Sequence, residues 1–269
     1  MRRHVFVIAM LVALPSGGIR QGGAQTSSDA PGAGSARKSL ADRNDRRLFQ
    51  RFVEDAAIVP GGWIEGVFTY DNQADNAQRY FLGGQFAFRL GENAEAGLRL
   101  GFVRQEFDGA DDGSGIADID VYGKYRFGGP CAAGGIIKIP SGDEGEGIGT
   151  GQLDVEGFFA CRADLASVSL VGNAGLRYNG KPDPPLPDSE ASVLLGGGLL
   201  IPAGTKTTFV IEATWESERL SGAGNDARLT LGYSGAGPGP GFGFRAAVAL
   251  PLSDAAPDYQ VFVGAAWLY

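Results

Sequence analysis

The chain offers few side chains suited to acid–base or metal chemistry. Its only histidine is His4, and its only cysteines are Cys131 and Cys161. A Ser–His triad needs an imidazole to take the proton, and imidazole is also the commonest metal ligand. His4 lies in what reads as a leader, so a mature chain would have neither. An enzyme would have to work with carboxylates alone. No catalytic residue, metal site or cofactor is therefore assigned. The segment DGADDGSG, from Asp108, sets carboxylates at short spacing. It lacks the twelve-residue calcium pattern with its closing Glu, and reads as a solvated acidic loop.

What the chain does carry is charge at every second position. In ADIDVYGKYRF, Ala117, Ile119, Val121, Tyr125 and Phe127 alternate with Asp118, Asp120, Tyr122, Lys124 and Arg126. In residues 166–178, Val168, Leu170, Ala174, Leu176 and Tyr178 alternate with Ser167, Ser169, Asn173 and Arg177. In residues 206–218, Phe209, Ile211, Ala213 and Trp215 alternate with Glu212, Thr214, Glu216 and Glu218. A period of two means strands with one apolar and one polar face. The polar faces also carry Arg79, Arg89, Glu95, Arg99, Lys138, Asp154, Glu156, Glu190, Arg228 and Arg245. So many charges can line a wet passage or pair into a filling. The residues expected to line a lumen are Asp118, Asp120, Lys124, Arg126, Lys138, Asp154, Glu156, Arg177 and Glu212.

The cysteines test a register. Cys131 and Cys161 are equidistant from Glu146, and so are Lys138 and Asp154. A hairpin tip at Glu146 makes each set cross-strand neighbours. In an oxidising compartment a Cys131–Cys161 disulfide is possible, and a single-residue bulge would prevent it. The alternative is two small apolar residues facing outward.

These faces need strands to hold them. About 12 are expected, starting near residues 61, 78, 94, 115, 131, 149, 166, 190, 206, 226, 241 and 258, each roughly the length a tilted membrane strand needs. Short connections (GENA, GGP, RAD, AGT) alternate with longer ones (DNQADNA, DGADDGS, SGDEGEGI, NGKPDPPLPDS, RLSGAGN). YSGAGPGPG, residues 233–241, breaks that rule. The fold class expected is all-β, a closed antiparallel transmembrane barrel with a polar lumen. Aromatics gather near strand ends, at Trp63, Tyr70, Tyr80, Phe107, Phe127 and Trp215. In the closing VFVGAAWLY, Val261, Val263, Ala265, Trp267 and Tyr269 would face lipid, with Trp267 and Tyr269 in the interfacial girdle. The rival is a soluble lipocalin-like barrel, because periodicity does not say which face is inside.

Before the barrel, residues 1–24 read as a secretory signal peptide, with Arg2 and Arg3 ahead of VFVIAMLVAL. Small residues allow cleavage before Gln25, or earlier near Ser16 and Gly18. Residues 25–44 read as a disordered linker. Residues 45–60 read as a short helical segment that could plug the barrel, and residues 61–269 as the barrel itself. The formal net charge of −8 argues against nucleic acid.

Three stretches resemble an outer-membrane barrel family named for the meta-pathway of phenol degradation: EDAAIVPGGWIEGVFTY (54–70), GIADIDVYGKYRF (115–127) and IKIPSGDEGEGIGTGQLDV (137–155). The matched positions are Gly115 and Asp118, then Pro140, Ser141, Gly142 and Asp143, then Gly149, Thr150 and Gly151. Ala117 stands where the family has a second glycine. The resemblance implies a transporter-like barrel of about a dozen strands, and a closing aromatic strand that assembly machinery reads. The expectation is passive passage of small, hydrophobic or aromatic molecules across a bacterial outer membrane. Its partners would be outer-membrane lipid, lipopolysaccharide, the barrel-assembly machinery and the solute. A plugged structural barrel is the alternative.

Overall fold

Alternating strands in this number have to hide their edges, and the chain does so by closing on itself. The computed structural model describes residues 55–269, apart from 60, 74–76, 108–111, 128, 144–145, 147, 150, 182–190 and 240. The strands are β1 (Gly62–Asn72), β2 (Gln78–Leu90), β3 (Ala94–Glu106), β4 (Gly113–Ile116), β5 (Ile119–Arg126), β6 (Cys131–Ile139) and β7 (Asp154–Asp164). They continue with β8 (Ser169–Tyr178), β9 (Ser192–Ala203), β10 (Thr207–Glu216), β11 (Asp226–Ala236), β12 (Phe242–Pro251) and β13 (Tyr259–Leu268). Neighbours pair antiparallel around the sheet, and β13 returns to β1 from Trp63↔Leu268 to Asn72↔Tyr259. β4 and β5 are two halves of one stave, which makes a closed barrel of 12 strands.

The faces are sorted as a membrane barrel requires. Leu176 and Leu82 point outward at 67% and 64% exposure, whereas Glu65 and Glu212 point inward at 0%. A lipocalin-like barrel needs the reverse. A ten-residue strand tilted by about 40° rises roughly 25 Å, the height of an outer-membrane apolar band. Tyr70, Tyr80 and Tyr259 cluster on the outside near the long-loop end with their rings tilted, Tyr70 lying 5.1 Å from Tyr80 and 5.8 Å from Tyr259 between ring centroids. Trp267 and Tyr269 are exposed at the opposite, short-turn end.

Several details depart from the sequence reading. Trp63 is not in the girdle. It shares the inner face with Glu65 and Val67, and is buried against Val59, Ala87 and Ala266. Ala117 is buried rather than outward, packed with Val103 and Ile148. The cause is a bulge: β3 pairs Arg99 with Asp120 but Phe102 with Ile116, so one extra residue sits at Ala117–Asp118 and shifts the phase. β11 runs on to Ala236, which cuts YSGAGPGPG to a short turn and restores the long–short rule. β7 likewise runs through RAD to Asp164, and the turn falls at Leu165–Val168. β7 starts at Asp154 rather than near 149, because the preceding glycine-rich stretch belongs to a loop. Residues 55–59 are not helical, and 45–54 lie outside the described residues.

Candidate functional site: the barrel lumen

At the short-turn end, residues Asp55–Val59 lie inside the barrel and cross it. Ala56 packs on the β6–β7 wall, among Ala132, Ile136, Phe158 and Ala160. Val59 reaches the β1 wall at Trp63. The segment is held largely by its main chain. Lys124 Nζ donates to the carbonyls of Asp55 (2.6 Å) and Ala57 (2.9 Å). Val59 N donates to Glu95 Oε2 at 2.8 Å. Glu95 Oε1 accepts from Tyr122 at 2.8 Å and stands 3.8 Å from Lys124 Nζ. The Asp55 carboxylate pairs with Arg162 at 2.5 Å, and Arg162 is itself braced by Asp164 and Ser169.

The middle layer is apolar. Val67, Val171, Leu200, Val210, Ala247 and Phe262 form one buried apolar cluster, with Phe81 against it. The Phe81 ring lies against Gly83 and Gly101, where a Cβ would collide with it. Beside this layer Arg245 pairs with Glu65 at 3.1 Å, both side chains fully buried. Arg245 also sits 5.6 Å from the Phe262 ring centre. Gln85 donates to Glu65 at 2.5 Å, and Arg99 donates to Gln85 at 3.3 Å. Buried charges of this kind persist only when paired and hydrogen-bonded.

Toward the long-loop end lies a cavity of about 520 Å³. Val67, Phe81 and Phe262 contribute to its lining from the apolar layer, and Gln73, Ser217, Leu220, Ala223 and Pro257 from the loop side. Its walls carry both signs of charge, several of them closely paired. Lys138 Nζ lies 2.6 Å from Asp154 and 3.3 Å from Asp118. Arg177 bridges Glu156 (2.7 Å) and Glu216 (2.5 Å). Arg219 adds a second cation to Asp154 at 2.7 Å, and Arg228 pairs with Asp226. Gln260 donates to Asp71 at 2.7 Å.

Asp118 also explains the glycine motifs. Its Oδ1 accepts from Gly142 N (2.9 Å) and Ser141 N (3.2 Å). A Cβ on Gly149 would fall 2.9 Å from that oxygen, and one on Gly142 would fall 3.1 Å from it. Ser141 Oγ closes the turn by donating to Ala117 O at 3.0 Å. The β6–β7 loop therefore folds inward over one carboxylate and delivers Ile148 into the barrel. In Gly-Thr-Gly, Gly149 admits Asp118 and Gly151 takes a positive φ of 65°. Gly147 and Thr150 lie outside the described residues.

Of the residues expected in a lumen, Asp118, Asp120, Lys138 and Arg177 line the cavity, and Asp154 and Glu156 pair with them from behind. Lys124 is inside but serves the turn end. Arg126, half-buried, donates to Asn93 at the mouth. Glu212 is buried in the packed half, away from the cavity lining. Arg89 is exposed and binds the carbonyls of its own turn. Glu190 lies outside the described residues. Cys131 and Cys161 are register partners joined by a disulfide on the outer face near the short-turn end. Glu65, Asp55 and Arg162 were missed. Glu65 shares its face with Trp63 and Val67, which masks the alternation, and Arg162 falls in RAD, which the sequence marks as a turn.

No known family model matches this sequence, nor does any curated protein. Solved structures do resemble it. An outer-membrane channel from Pseudomonas putida F1 superposes with a TM-score of 0.61, over 83% of this chain and 100% of its own, at 11% identity. The translocator domain of the autotransporter NalP from Neisseria meningitidis gives 0.51, over 77% of this chain and 87% of its own, at 14% identity. What this chain shares with both is the fold, the closed antiparallel barrel of outer-membrane type.

Proposed function

We propose that this chain sits in the bacterial outer membrane and passes small molecules by passive diffusion, with no covalent step. The carrying observation is the cavity of about 520 Å³ beneath the long loops. That is large enough for a small organic molecule. The cations Lys138, Arg177, Arg219 and Arg228 in its wall are each paired with a carboxylate, which lowers their field on a solute there. Its floor of Phe81, Phe262 and Val67 suits an apolar or aromatic solute. The long loops would face outward and the short turns the periplasm, after removal of residues 1–24. Lipid and lipopolysaccharide would surround the barrel, and the assembly machinery would insert it. The motif resemblance to the phenol meta-pathway family supports an aromatic solute. The channel resembled from Pseudomonas putida F1 supports passage more generally.

A second reading is favoured by the buried apolar middle layer: a plugged structural barrel. Purified protein in planar bilayers and in solute-loaded vesicles separates the two. Steady current, or influx of a small phenol above that of empty vesicles, supports passage. Silence in both supports the plug.

A further inference from the structure

We propose that the short-turn mouth of the barrel is a binding site for an extended peptide, and that Asp55–Val59 is its resident, displaceable occupant. The site is built from the wall, and it reads main chain. Lys124, its side chain 1% exposed, spends its ammonium on two carbonyls, while the fully buried Glu95 accepts a backbone N–H two residues further on. Among the described residues, the charged side-chain contact of the occupant is the Asp55 carboxylate on Arg162. The chemistry recognised is thus an acidic residue followed by small and apolar residues in extended conformation.

The occupant can leave without breaking the barrel. It joins no strand ladder, unlike every wall segment. When it leaves, Lys124 and Glu95 already stand 3.8 Å apart and can close on each other or take water. Exchanging protein hydrogen bonds for water changes free energy little per bond. Arg245 and Glu65 have no such exit, because wall strands fix both. Displacement would open the turn end of the lumen, a gating role that rests on the channel reading above. The peptide site itself does not depend on it.

The test uses the full chain in lipid vesicles, with Ile58→Cys as reporter on the occupant. Ile58 is buried, and the two native cysteines are bonded to each other. Modification by a charged maleimide should be slow in this parent. Adding Asp55→Arg, which sets two cations together, should speed it by about tenfold or more. Lys124→Met should do the same, and Arg89→Gln, which removes an exposed cation bound to the carbonyls of its own turn, should leave it unchanged. A fluorescent peptide of residues 55–59 should then bind the Asp55→Arg barrel, but not the parent or the Asp55→Arg/Lys124→Met barrel. A fast-migrating unboiled gel band confirms that each variant is folded. Labelling of Asp55→Arg at the parental rate, or no peptide binding to it, overturns the proposal. Fast labelling and peptide binding without any rise in current uphold the site and count against the channel reading.

Discussion

At the scale of single residues, the lumen is governed by what a buried charge demands. Arg245 and Glu65 are both fully buried, and neither has solvent to fall back on. Removing one partner strands the other at a cost of about 3 to 5 kcal/mol, more than the net worth of the pair itself. Arg245→Met should therefore lower the unfolding free energy by about that amount, read by denaturant titration of tryptophan fluorescence in vesicles. The double variant with Glu65→Leu should recover most of it. Equal loss in the single and double variants would show that packing around Arg245 matters more than its charge. Much of this layer was legible in the sequence, because charges recur at every second position. Glu65 was not, since Trp63 and Val67 on the same face make β1 look apolar on both sides.

At the scale of elements, the β6–β7 hairpin carries the most information. Its register follows from Lys138↔Asp154 and Cys131↔Cys161 together, because a bulge between them would shift one pair. Its loop follows from Asp118, whose carboxylate gathers Ser141 N, Gly142 N and Lys138 Nζ. Asp118→Ala removes the acceptor while leaving Lys138 paired with Asp154. The expected outcome is release of residues 140–153, seen as protease cleavage there about tenfold faster than in the parent, with the barrel band unchanged. Unchanged cleavage would mean that Ile148, packed against Val103 and Ala117, suffices to hold the loop. The glycine-rich motif is thus accounted for by architecture, whatever else it does.

At the scale of the whole molecule, the deciding feature is which face meets lipid. Val263 is half exposed near the middle of β13. On the lipid face of a membrane barrel, Val263→Arg should cost about 2 to 4 kcal/mol at mid-depth. On a water-facing surface it would cost little, so a neutral result in vesicles would sink the membrane reading. A heat-modifiability gel on membrane fractions gives the companion measurement. A faster unboiled band is expected for the parent, with a lower conversion temperature for Val263→Arg.

What the sequence determined by itself was local: strand identity, strand order, turn positions to within a few residues, and the hairpin register. Those follow from alternation and from turn residues, which act over a few neighbours. What only the tertiary structure decided was everything that depends on closure. Alternation is symmetric between inside and outside, so only the closed sheet puts Glu212 in the dark and Leu176 on the surface. The bulge at Ala117–Asp118 reveals itself only through pairing with β3. The crossing of Asp55–Val59 exists only because Lys124, Glu95 and Arg162 come together from three different staves. Their separations in sequence reach 107 residues, between Asp55 and Arg162, and no local pattern encodes a contact of that range.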